Sequence, residues 1–204
     1  VDGGHAALVD AVVARHGRLD AAFNNAGVIG KLGFAKLEHW TAAEFDTAMH
    51  VNARGVFLCM KYELMQFRRQ RSAERAANVA RGRVYRIVNT ASVAGISGTA
   101  HGQSGYAASK HAVVGLTRVA AREYAKNGVA INALAPAIVR TSMGTGGGSE
   151  AATKLAEQIV RSSNPMQRMG TVDEVVAALM YLLSPHAAFV SGIALPVDGA
   201  LTCH

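Results

Sequence analysis

Tyr106 and Lys110 stand four residues apart in YAASK, at the predicted start of a helix. That spacing puts both side chains on one face, one turn apart. A free phenol has a pKa near ~10 and is a poor acid–base catalyst at neutral pH. A fixed ammonium beside it favours the phenolate and lowers that pKa. Alone the pair is weak evidence, because i,i+4 neighbours are commonly structural. Its weight comes from Ser92, fourteen residues earlier, which ends a strand-like run and opens a Gly/Ser-rich loop leading to the pair. Serine is common in turns, but its place at a strand end favours a role in chemistry.

Helix and strand signals alternate in the chain that must position these groups. Leu8, Val9, Val12 and Val13 share a helical face, and Gly17 sits at an expected C-cap. LDAAFNNAG (19–27) reads as a buried parallel strand running into a turn. Thr41 to Glu44 is a capping box opening a helix predicted to reach about Arg69. VYRIVNT (84–90) and VAINALAP (129–136) read as strands, with a helix from about Ser104 to Lys126 between them. GTGGGS (144–149) reads as a flexible hinge before a short amphipathic helix carrying Leu155 and Ile159. Thr171 to Glu174 is a second capping box, its helix stopping before Pro185, and IALPV (193–197) is a last short strand. This rhythm predicts βαβ units and a parallel sheet covered on both faces, in one domain over residues 1–204. Ligands gather at the C-terminal strand ends of such sheets, here Asn24-Asn25, Asn89 to Ser92, and Pro136.

Composition narrows the function. Half of the 204 residues are apolar and 17% are charged, an ordinary globular balance. The most apolar run, GVFLCM at 55–60, is far too short to span a bilayer. The net charge of +7 comes largely from seven arginines between Arg68 and Arg86, opposed by Glu74. One basic run between two elements reads as a solvated connection rather than a nucleic-acid surface. The eight histidines show no metal-binding spacing, so no metal site is expected. Cys59 and Cys203 are too few for a disulfide framework and read as reduced thiols in a cytoplasmic setting.

Ser92, YAASK, NNAG at 24–27 and Asn52 in HVNARGVF together resemble the short-chain dehydrogenase/reductase family. INALAPAIVRT (131–141), RMGTVDEV (168–175) and VSGIALPVDGA (190–200) extend the resemblance over essentially the whole chain. It implies a Rossmann-like doubly wound α/β fold and an oxidoreductase that interconverts a secondary alcohol and a carbonyl with NAD or NADP. By the same resemblance Tyr106 is the general acid/base, and Lys110 lowers its pKa and bonds the nicotinamide ribose. Ser92 holds the substrate oxygen, and Asn52 holds a water that links Lys110 to solvent. Asn52 has a plainer reading as a cap or bend in its helix. Asn25, Ala26, Gly27, Val139 and Thr141 are implied cofactor contacts, beside Tyr106 and Lys110. A small-molecule substrate and a homo-oligomer, dimer or tetramer, complete the implied picture.

Two departures stand out. Ala137 follows INALAP where the family usually has Gly, which puts the Val139 and Thr141 contacts in question. The Arg-rich connection is lengthened, on the side leading away from the strand ends. The resemblance also makes LDAAFNNAG the fourth family strand, so the first three (β1–β3 of the family fold) and the Gly-rich pyrophosphate turn are expected to lie outside this sequence. An alternative follows: a truncated, cofactor-incompetent remnant of the family that serves as a binding or structural protein.

Overall fold

The computed structural model describes residues 2–30, 35–76, 84–98, 103–147 and 149–203. In chain order the elements are α1 (Asp2–His16), β1 (Ala21–Asn24), α2 (Ala42–Ala48), a π-helical turn (Met49–Arg54) and α3 (Gly55–Ala76). Then come β2 (Tyr85–Thr90), α4 (Ser104–Tyr124), β3 (Val129–Pro136), α5 (Glu150–Ser163), α6 (Val172–Leu183) and β4 (Ala194–Val197). The strands form one parallel sheet in the order β1-β2-β3-β4. Consecutive parallel neighbours require a crossover each time, and helices supply it.

Side-chain alternation builds a core on each face of the sheet. Ile87, Ile131 and Ala133 pack with Val56, Met60, Leu64 and Phe67 of α3 and Val113 and Val114 of α4. Val88 and Leu134 point the other way, against Leu179 and Leu182 of α6. β3 is therefore buried along seven of its eight residues, as a strand covered on both faces should be. This is the parallel sheet covered on both faces that the alternation predicts. No helix among the described residues is long and apolar enough to cross a membrane.

Both capping boxes form: each threonine hydroxyl accepts from the glutamate N–H three residues on, and each glutamate reaches back. The helix predicted from Thr41 to Arg69 does not run straight. A wider π turn interrupts it at Met49–Arg54 and the helix then continues to Ala76. Such single π turns recur where a side chain must leave the helical ladder, and Asn52 is that side chain here. The predicted GTGGGS hinge is a bonded turn over its described part, with Gly147 donating to Ser142 and Thr145 to Thr141. Its Gly148, and residues 77–83 of the Arg-rich connection, lie outside the described residues. Of that connection's described part, Arg68 to Ala76 is the last stretch of α3, and Tyr85 and Arg86 begin β2.

The inner face of α3 is unexpectedly polar where it meets β1. Gln70 grips the Leu19 backbone through both amide atoms, at 2.8 and 2.7 Å. Glu63, 6% exposed, accepts from Asn24 Nδ2 at 3.2 Å. Burial pushes the Glu63 carboxyl up to about 7, with Asn24 opposing, while an unburied carboxyl titrates near 4.5. Folding therefore favours the protonated form. The cost of charging Glu63 appears as pH rises from 4.5 and is complete above about 7. Glu63→Gln keeps an acceptor for Asn24 and removes that cost. The variant should gain about 3 kcal/mol at pH 8 and nothing at pH 4. Urea unfolding at both pH values checks this; parallel stability curves for the two proteins would refute it.

Candidate active site

Ser92, Tyr106 and Lys110 come together beyond the C-terminal end of β2. Ser92 is extended and caps a short 3-10 turn, its hydroxyl accepting from Ala94 N at 3.2 Å. Gly95 ends that turn against α4. A Cβ there would stand 2.7 Å from the carbonyl oxygen of Lys110 and 2.8 Å from its carbon. Only glycine lets the serine turn lie this close to the helix carrying the other two groups.

Tyr106 occupies the first turn of α4, half-buried, with Ser92 close to its phenol. Burial pushes the phenol above its ordinary range, and the nearby Ser92 hydroxyl works against that rise. Lys110 is 3% exposed; its ammonium donates to Thr90 O at 2.7 Å and lies 5.6 Å from the centre of the Tyr106 ring. Burial brings the ammonium down to about 8. The lowered phenol pKa anticipated from a neighbouring cation is not found in this arrangement: burial sets the direction, and the ammonium is turned onto the Thr90 carbonyl.

The NNAG loop meets the same place from β1. Asn24 points inward and donates to Asn89 Oδ1 at 2.9 Å, and Asn89 donates to Thr117 at 3.0 Å. Asn25, at the exposed strand end, accepts from Thr90 Oγ1 at 2.9 Å, and Ala26 is also exposed. Gly27 approaches closely: a Cβ there would lie 3.2 Å from Asn52 Oδ1 and 3.5 Å from Lys110 Nζ. Asn52, 0% exposed, locks the loop by accepting from Val28 N and donating to Val28 O, both at 2.8 Å.

Val139 and Thr141 sit past the end of β3, in a segment that pairs with Gly170. Thr141 N donates to Val139 O at 2.8 Å, and the Thr141 hydroxyl accepts from Gly144 N at 3.2 Å. Ala137 takes the place of the family glycine without strain. Its N–H bonds Val197 O at 3.2 Å, and the non-glycine residues with left-handed backbone are Gln167 and Ala200 among those described.

Sequence reasoning missed three supports of this site. Gly95 is one. Trp40 is another, its ring filling the space that a Cβ on Gly105, the residue before Tyr106, would need at 2.5 Å. Ser109 is the third. A polar residue three after Tyr106 on a helix face that must be buried was the available signal.

The comparisons with known proteins agree with this geometry. The model of a family described as enoyl-(acyl carrier protein) reductase matches residues 2–202. Levodione reductase of Leifsonia aquatica is 42% identical over 197 residues, covering 95% of this chain and 68% of that protein. A 2,5-dichloro-2,5-cyclohexadiene-1,4-diol dehydrogenase of Sphingobium indicum is also 42% identical over 197 residues, covering 96% and 72%. The crystal structure of levodione reductase superposes with a TM-score of 0.86 at 41% identity, over 98% of this chain and 73% of that one. ElxO with NADP bound gives 0.84 at 30% identity over 100% and 75%. NAD+-bound xylitol dehydrogenase gives 0.81 at 28% identity over 98% and 75%. The chain belongs to the short-chain dehydrogenase/reductase family of oxidoreductases.

Proposed function

We propose that this protein interconverts a secondary alcohol and a carbonyl with NAD or NADP, using Tyr106 as general acid/base. The meeting of Tyr106, Ser92 and Lys110 beside the glycine-lined end of β1 carries the reading. A dinucleotide suits the residues present: the missing Cβ of Gly27 leaves backbone accessible beside the Lys110 ammonium. Asn25, Ala26, Gly27, Tyr106, Lys110, Val139 and Thr141 would hold it, and the nicotinamide supplies or takes up hydride.

The chain's own groups manage the proton and the substrate oxygen. Ser92 donates to that oxygen and holds it at the phenol, so charge developing there meets a fixed dipole. Tyr106 passes its proton to the oxygen in reduction and takes it back in oxidation. Lys110, as a cation, favours the phenolate left behind. Asn52 Oδ1 accepts one bond, from Val28, and keeps a lone pair. That oxygen and Lys110 Nζ converge on the point where a Gly27 Cβ would stand, at 3.2 and 3.5 Å. A water bridging the two would connect Lys110 to solvent.

The relatives reach beyond the matched region. The diol dehydrogenase acts on a ring-borne secondary alcohol, which supports a carbocyclic substrate here. Exposed apolar residues on α3 and α6 (Phe57, Met65, Met180) support a homo-oligomer, a dimer or tetramer. Free Cys59 and Cys203 support a reducing, cytoplasmic setting. The test is initial rates with cyclohexanols and cyclohexanediols, following nicotinamide absorbance with NAD+ and NADP+ separately. Turnover with at least one coenzyme is expected; none with either, across such a panel and the matching ketones, would end the reading.

A further inference from the structure

We infer that Ser109 is a positioning residue, setting where the Tyr106 phenol stands relative to Lys110 and the NNAG loop; this rests on the function proposed above. Ser109 is 0% exposed, in the middle of a helix, where alanine would fill the space and favour the helix more. Its hydroxyl is used in both directions. It donates to Tyr106 O at 2.7 Å and accepts from Asn52 Nδ2 at 2.9 Å.

The accounting at Asn52 shows what that hydroxyl does. One Nδ2 hydrogen goes to Val28 O and the other to Ser109 Oγ, while Oδ1 accepts from Val28 N. The bonds therefore run from the loop after β1, through the π turn, to the backbone of Tyr106 itself. Three chain segments distant in sequence are tied to the residue that moves the proton. The π turn points Asn52 at this junction, and Ser109 is the link between that junction and α4. Without the hydroxyl, the first turn of α4 can rotate or slide against Gly27, and Tyr106 and Lys110 shift together relative to a coenzyme seated there.

Four measurements decide the matter. Ser109→Ala should lower kcat at least tenfold, leave the KM for coenzyme within about twofold and move the pH profile of oxidation. Ser109→Thr, which keeps the hydroxyl, should recover most of the rate; if the added methyl prevents folding, the next comparison stands in its place. In an Asn52→Ala background, Ser109→Ala should cost little more, because the chain of bonds is already cut. A readout independent of turnover is the phenolate absorbance of Tyr106, titrated by difference against Tyr106→Phe, which Ser109→Ala should shift by about half a unit or more. Full kcat with an unshifted titration, or losses that multiply in the double variant, would overturn the inference. A protein that turns over no alcohol with either coenzyme would overturn the proposed function, and the phenol titration would still judge Ser109.

Discussion

Tyr106→Phe should abolish measurable turnover, a loss of about 10²–10⁴-fold or more, while the coenzyme dissociation constant stays within about twofold. The substitution removes one oxygen and keeps the ring. The hydroxyl it removes is the one that stands near Ser92. Cofactor contacts from Gly27 and Lys110 are untouched, since Lys110 holds its place through Thr90 O rather than through the phenol. Stopped-flow nicotinamide fluorescence separates binding from chemistry in one experiment. A variant that keeps a tenth of its rate would mean another group transfers the proton. One that loses coenzyme affinity in proportion to rate would mean that Tyr106 serves mainly as a binding surface.

Much of this was readable from sequence because the signals were local. The bounds of β3 coincide with VAINALAP, since a strand buried on both faces is an unbroken apolar run. The two capping boxes are read within four residues each, and both form. Tyr106 and Lys110 needed only helical spacing to be placed together. What escaped notice depends on contacts between distant segments. The π turn exists because the Asn52 amide finds Val28 and Ser109, partners 24 and 57 residues away, and helical periodicity carries no trace of either. Gly95 is one loop glycine among many in the sequence, and only the fold shows that a Cβ there would meet the Lys110 backbone. The polar stripe of Glu63, Gln66 and Gln70 reads as a solvent face by composition, yet Glu63 and Gln66 are buried and Gln70 clasps the chain leading into β1. The net direction of the Tyr106 pKa likewise depends on how much protein surrounds the ring, which spacing does not reveal.

Lys110→Met should cost catalysis heavily and cost stability nothing. An ammonium that titrates near 8 in the folded chain against 10.5 when exposed is being held in its disfavoured charged form at neutral pH. Folding favours the neutral amine. The burden is therefore complete below about 8, shrinks as pH rises toward 10.5 and is gone above it. At pH 7 that burden is about 3 kcal/mol. Methionine is one heavy atom shorter and fills most of the same space, but it leaves Thr90 O without its donor, a loss of about 1–3 kcal/mol for a buried carbonyl. The difference favours the variant by about 0–2 kcal/mol at pH 7, and its stability should be flat between pH 8 and 10.5, where the parent's rises. Turnover should fall by about 10²–10⁴-fold, since no cation then favours the phenolate. Thermal unfolding across that pH range, paired with initial rates, reads both effects. A variant clearly less stable at pH 7 would mean that the ammonium is solvated in the folded protein, and Tyr106 would then lack the desolvated cation its proton transfer requires.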